Sequence, residues 1–249
     1  MLKALFWAAL GTGFPFLMTA LGAATVLLAG RGRRALPQQG LFGFAAGVMS
    51  AAAVWSLLLP ALEQAAGGAL PHWLPASAGL LLGALLLSAL DALAARLYRH
   101  EGEAQRRQNA LLMTAITLHN IPEGMAVGLA FALAASGEGR AGAAALALGI
   151  GIQNFPEGAA VSLPRVQDGR GRAFAAGVLS GAVEPLFGCA VVLAAEAAGA
   201  LMPWLLSFAA GAMLYVTAAE LLPQAGSRAG AWGFVAGFGL MMVLDTALG

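Results

Sequence analysis

Two stretches of this chain gather carboxylates, amides and an imidazole at spacings that suit an ion site. LHNIPEGMAVG starts at Leu118, and IQNFPEGAAVS starts at Ile152, thirty-four residues later. Helical residues three or four apart share a face. His119 and Glu123 therefore project together with Asn120 beside them, and Gln153, Asn154 and Glu157 repeat the arrangement. Glu123 and Glu157 together balance one divalent cation. Glu184, beside Pro185 in a later apolar run, would help a second cation sit nearby. An imidazole with carboxylates and amide oxygens suits borderline metals such as Zn²⁺, Fe²⁺ or Mn²⁺; Met49, mid-span in an apolar run, could add a thioether, with plain helix packing an equal alternative. An all-oxygen set would point to Mg²⁺ or Ca²⁺. Such ligands bind deprotonated, so metal affinity is expected to fall as pH drops below about 6.

Pro122 and Pro156 sit inside both motifs and lack the N–H that would satisfy the carbonyls of Leu118 and Ile152. Membrane helices tolerate this where neighbours or a cavity satisfy the freed groups. Kinks at these prolines, with Gly124 and Gly158, would let the two helices approach closely. Packing explains the prolines and glycines but leaves Glu, His, Gln and Asn unaccounted for.

The elements that must position these groups follow from composition. Of 249 residues, 60% are apolar and only 10% charged, against about 25% charged in a soluble domain. Mean hydropathy is +0.81. Apolar runs long enough to cross a core of roughly 30 Å recur throughout. An intramembrane carboxylate costs roughly 3 kcal/mol, which makes Glu123 and Glu157 functional candidates by default. The expected fold class is all-α, a polytopic membrane protein forming one domain over residues 1–249. Charge clusters and Gly/Pro turns predict eight spans, over 4–29, 41–62, 73–96, 109–135, 141–163, 172–196, 202–223 and 231–248. The first follows Lys3 and is too long for a signal-peptide core. No basic run with interleaved aromatics points to nucleic acid. Cys189, the single cysteine, excludes an intrachain disulfide framework.

Arg31, Arg33 and Arg34 follow span one; Arg96, Arg99, Arg106 and Arg107 follow span three; Arg165, Arg170 and Arg172 follow span five; Arg228 follows span seven. Eleven of 13 Lys/Arg thus face one side, and Lys3 and Arg140 the other. This asymmetry places the arginine-rich loops in the cytoplasm and both termini outside the cytoplasmic membrane.

The motif therefore runs once outward, in span four, and once inward, in span five. Similar sequence in opposite orientations marks an inverted repeat with an ion site near the midplane. FAAGVM from Phe44 matches FAAGAM from Phe208, each followed ten or eleven residues on by Pro60 or Pro223. A fainter echo pairs Phe14-Pro15 with Glu184-Pro185. The implied plan is 3+2+3: three helices, a central pair, three inverted. Glu63 and Asp245 fall at the outer ends of spans two and eight, and Asp91 and Glu220 at the inner ends of three and seven. They are candidates for an entrance and exit path, with solvated helix ends the plainer alternative. Met213 reads as apolar lining, and His72 and His100 as loop residues.

H-N-x-P-E-G followed by Q-N-x-P-E-G, with E-P in a later span and A-A-G-V-M in span two, resembles the ZIP (Zrt-, Irt-like) metal transporters. IGIQNFPEGAAVSLP, from Ile150, is similar to the GufA-like branch, and the resemblance covers essentially the whole chain. It implies a binuclear site, with Met49, His119, Glu123, Gln153 and Glu157 around the first metal. Asn120, Glu123, Asn154, Glu157 and Glu184 would surround the second, both motif glutamates bridging. It further implies movement of divalent metals, Zn²⁺ with Fe²⁺, Mn²⁺ and Cd²⁺ as further candidates, into the cytoplasm by a homodimer. The motif-bearing helices would slide like an elevator, and no prosthetic group is implied. Gln153 stands where many relatives have histidine, and Asn154 where some have aspartate, which leaves metal preference open. The histidine-rich cytoplasmic loop of many eukaryotic members is cut to about a dozen residues here.

No GxxxxGK[ST] is present, so movement driven by ATP is not expected. Channel-like flow is the mechanistic rival. An intramembrane metalloenzyme is disfavoured, since HExxH is absent and amide ligands suit hydroxide formation poorly. A haem carrier fails on its ligands, because only one of three histidines is intramembrane.

Overall fold

The computed structural model describes residues 2–28, 38–66, 70–97, 104–135, 139–197 and 199–248. Among them there is no strand. Arg31, Arg33, Arg34, Arg99 and His100 lie outside the described residues, as do the side chains of Arg106 and Arg107.

Helix α1 spans Leu2–Leu28. Helix α2, Gln38–Ala52, passes through a π-helical turn, Ala53–Leu58, into α3, Leu59–Ala65. Next come α4 at Trp73–Leu97, α5 at Ala104–Ala134 and α6 at Arg140–Ser162. A 3₁₀ segment, Leu163–Asp168, leads to α7, Arg170–Gly181, and α8, Val183–Ala197. Helix α9, Met202–Val216, passes through a second π turn, Thr217–Leu221, into α10, Leu222–Gln224, and α11 closes the chain at Arg228–Leu248. Among the described residues, six helical stretches are long and apolar enough to cross a membrane. The motif-bearing α5 and α6, at 31 and 23 residues, have spanning length but carry the polar groups.

As the sequence places them, Pro122 lies inside α5 and Pro156 inside α6, and both helices continue through them. Changes in the helical hydrogen-bond pattern fall at other prolines. Pro60 and Pro223 cannot donate to the carbonyl four residues back, and each follows a π turn that absorbs the mismatch. Just ahead of them, the Leu59 N–H reaches the Val54 carbonyl and the Leu222 N–H reaches that of Thr217, five residues back in both cases. Near Pro185 the α-helical pattern is interrupted at Ala182, between α7 and α8, while Arg170–Ala194 remains one stretch long and apolar enough to cross a membrane.

Packing sorts the helices into two groups. Helices α1, α5, α6, α7 and α8 pack chiefly among themselves, with α1 on α6 and α5 on α8 as the main pairs. Helices α2, α3, α4, α9 and α11 form the other group, led by α2 on α11 and α4 on α9. Glycines set these distances. Gly47 lies against the Phe234 carbonyl of α11, and its repeat counterpart Gly211 against the Leu80 carbonyl of α4. A buried core including Met49, Leu57, Leu129, Ile150, Leu206 and Met213 joins the groups. Outward, α4 exposes Leu81, Leu82, Leu85, Leu86 and Leu93, a face that water would penalise and hydrocarbon would not.

Gly158 abuts the Thr19 carbonyl of α1, where an added Cβ would overlap backbone. Gly158→Val is therefore expected to destabilise the chain by about 1–3 kcal/mol. Thermal unfolding of purified protein checks this, and an unchanged melting temperature would refute the close packing.

Candidate metal centre

Helix α5 turns His119, Asn120 and Glu123 inward, and α6 turns Gln153, Asn154 and Glu157 inward, as the three- and four-residue spacing requires. Glu184 arrives in the first turn of α8. None of these seven is more than 2% exposed. Ligand atoms of His119, Glu123 and Glu157 all lie within 4.8 Å of one another, close enough for one cation to touch all three.

The amides are oriented by their nitrogens. Gln153 Nε2 donates to Glu123 Oε1, tying α6 to α5. Asn154 Nδ2 donates to Glu184 Oε1 at 2.9 Å, tying α6 to α8. Asn120 Nδ2 donates to the Ser180 carbonyl at 2.8 Å, which stands beside the α7–α8 interruption. With each nitrogen held elsewhere, the oxygens Asn120 Oδ1, Gln153 Oε1 and Asn154 Oδ1 have no hydrogen-bond partner. Neither do Glu123 Oε2, both oxygens of Glu157, or either ring nitrogen of His119. Among the described residues, eight of the nine buried side-chain N and O atoms without a partner belong to these six residues. Buried polar groups are normally paired. A cluster of unpartnered oxygens beside an imidazole with one bare nitrogen is what a desolvated cation would satisfy.

Met49 is fully buried, and its Sδ accepts from the Thr217 hydroxyl at 3.9 Å. Thr217 belongs to the second π turn and also donates to the Met213 carbonyl at 2.8 Å. Glu157 and Glu184 lie within electrostatic range of Glu123, Glu220 within range of Glu157, and Asp91 within range of Glu220. Tyr215 Oη donates to Asp91 Oδ2 at 3.5 Å. A run of carboxylates therefore extends from the cluster toward the C-terminal ends of α4 and the second π turn. Asp245 on α11 accepts from Ser56 Oγ at 2.6 Å, with Oδ2 unpartnered. Glu63 is solvent-exposed near the end of α3 and, among the described residues, belongs to no group that could hold a metal. Cys189 is a partly buried free thiol, and His72 is exposed.

Sequence reasoning missed Thr19, Ser180, Thr217 and Ser56. Thr19 Oγ1 donates to Glu184 Oε1 at 3.1 Å. Nothing local separates Thr19 from Thr12 on the same helix, since both are buried and both back-bond four residues upstream. On α1, Phe14 meets Gly151, and Thr19 meets the motif glycine Gly158.

The seven ligand candidates from α5, α6 and α8 all belong to one packing group. Met49, Asp91, Glu220 and Asp245 belong to the other. An apolar cleft of about 380 Å³ opens where α4 and α9 meet α5 and α8, lined by Leu86, Leu90, Ile121, Pro122, Phe187 and Phe208.

Residues 101–245 match a family model described as ZIP Zinc transporter. The chain is 40% identical to "Zinc transporter ZIPB" of Bordetella bronchiseptica, over 98% of this chain and 82% of that protein. It is 36% identical to bovine "Zinc transporter ZIP11", over 97% of each. With "Zinc transporter GufA" of Myxococcus xanthus it shares 38% identity, over 78% of this chain and 81% of the relative.

Proposed function

The chain belongs to the ZIP zinc transporter family, and from that premise we propose that it carries Zn²⁺, with Fe²⁺, Mn²⁺ or Cd²⁺ as alternative cargo, into the cytoplasm. It is an all-helical integral membrane protein. The observation that carries the reading is the clustering of unpartnered acceptors on His119, Asn120, Glu123, Gln153, Asn154 and Glu157. Carboxylates buried without a counter-charge are costly, and a divalent cation shared by Glu123 and Glu157 offsets that cost during each passage.

In this reading one ion sits among Met49, His119, Glu123, Gln153 and Glu157. A second sits among Asn120, Glu123, Asn154, Glu157 and Glu184. The imidazole and thioether favour zinc at the first position, and the oxygen-only second position tolerates harder ions. Eight membrane spans in an inverted 3+2+3 plan, with both termini outside the cytoplasmic membrane, complete the architecture. Supporting the plan, the main packing pairs exchange under that repeat: α1 on α6 becomes α8 on α5, and α2 on α11 becomes α9 on α4. The paired π turns before Pro60 and Pro223 follow the same exchange.

Alternating access is favoured over a fixed pore by the partition of residues. The group that holds most ligands slides as a body against the group that holds Met49 and Glu220. Moving past Met49 removes the sulfur donor, and approach to Glu220 and Asp91 offers carboxylates on the way to the cytoplasm. Asp245 with Ser56, and Glu63, serve the outer approach. The working unit is a homodimer, and the chain acts as a transporter, not an enzyme.

Purified protein in liposomes loaded with a zinc-sensitive dye is expected to give uptake that saturates with external zinc and needs no ATP. Flux rising linearly through the whole concentration range would favour a channel and overturn alternating access.

A further inference from the structure

We infer that Thr19 is a positioning residue for the cargo site, holding the Glu184 carboxylate by one oxygen so that the other is left for the second ion; this rests on the reading of Glu184 as a ligand. Thr19 is fully buried on α1, so no solvent competes for its hydroxyl. Its Oγ1 donates to Glu184 Oε1 at 3.1 Å, across 165 residues of sequence. Asn154 Nδ2 reaches the same Oε1 at 2.9 Å. Two donors from different helices, α1 and α6, thus meet on one carboxylate oxygen, and neither touches Oε2. A carboxylate held this way keeps its plane and its free oxygen fixed before the ion arrives, which is how outer groups tune metal ligands.

Packing fixes the hydroxyl in turn. The Thr19 carbonyl lies against Gly158, one residue after Glu157, and its Cγ2 would stand 2.8 Å from a Cβ at Gly181. The side chain sits in a notch that a larger residue at Gly181 would close, while Gly158 lets the Thr19 backbone approach. Thr19 also meets Gly158 of the second motif as the Glu184 backbone meets Gly124 of the first. Corresponding places beside the two motifs are therefore held by a carboxylate and by the hydroxyl that steadies it. The Pro15 carbonyl, 3.2 Å from Oγ1, is an alternative acceptor. When Glu184 turns with the ion, the hydroxyl can return to Pro15, and no buried donor is stranded.

The test is a mutant cycle read by zinc titration calorimetry on purified protein, recording affinity and stoichiometry. Thr19→Val keeps the shape and removes the hydroxyl, so it is expected to weaken the second binding event about tenfold. Thr19→Ser, which keeps the hydroxyl, is expected to stay within about twofold of wild type. In a Glu184→Gln background, Thr19→Val should add nothing, because the charge it steadies is gone. An unchanged Glu184→Gln titration would sink the ligand reading itself. A weakened Glu184→Gln beside a normal Thr19→Val would sink the inference about Thr19 alone, as would additive losses in the double variant. Should Thr19→Val fail to fold, Thr19→Ala, which introduces no bulk, runs the same cycle.

Discussion

Liposomes carrying Glu123→Ala or Glu157→Ala are expected to accumulate radiolabelled zinc no faster than protein-free liposomes. Both carboxylates converge on the space beside His119, within 4.8 Å of it and of each other. A unit charge about 4 Å from its partner is worth about 4 kcal/mol at an effective dielectric near 20, which corresponds to roughly a thousandfold in affinity. Removing either residue also leaves a doubly charged ion beside a single motif carboxylate. The glutamine variants separate this electrostatic role from a structural one. Glutamine preserves shape and hydrogen bonding while deleting a buried charge that has no cationic partner. Glu123→Gln and Glu157→Gln should therefore abolish uptake while melting at the same temperature as wild type or above it. Wild-type uptake in both alanine variants would refute the assigned site. Loss of uptake together with loss of the folded protein would reassign the glutamates to structure.

His119→Gln is expected to reverse metal preference, lowering the ratio of zinc to manganese uptake about tenfold or more. The imidazole is the one nitrogen ligand in the cluster, and both of its ring nitrogens are buried without a partner. Replacing it by an amide leaves oxygen donors around the ion, apart from the Met49 sulfur. Such a set favours harder cations over zinc. Competition uptake, with both metals offered to the same proteoliposomes, reads the ratio directly and cancels differences in protein insertion. A proportional fall for both metals would mean that His119 shapes the site without selecting its cargo.

The comparison between chain and structure is sharpest at the prolines. In sequence Pro122, Pro156 and Pro185 read alike, as prolines within apolar helices that free a carbonyl four residues back. In the fold, α5 and α6 continue through the first two, and the interruption comes near the third. The π turns before Pro60 and Pro223 had no signal beyond the prolines themselves. Whether a proline bends, widens or breaks a helix depends on which neighbours satisfy the freed carbonyl, and those neighbours are distant in the chain. The ligand candidates were more legible. His119 with Glu123, and Gln153 with Glu157, are four residues apart, and helical geometry alone puts each pair on one face.

By itself the sequence determined the environment and the donor types. A chain 60% apolar and 10% charged cannot solvate its surface in water, and two copies of one polar motif in its apolar runs have few uses besides an ion. Only the tertiary structure decided which atoms are free to bind. The amide nitrogens of Asn120, Gln153 and Asn154 are committed to Ser180, Glu123 and Glu184, and Thr19 reaches Glu184 from the far end of the chain. Helical periodicity is local and survives any packing arrangement, so it can be read from spacing. A hydrogen bond between helices exists only once their backbones approach, and that approach is set by glycine contacts such as Gly124 on Glu184 and Gly158 on Thr19.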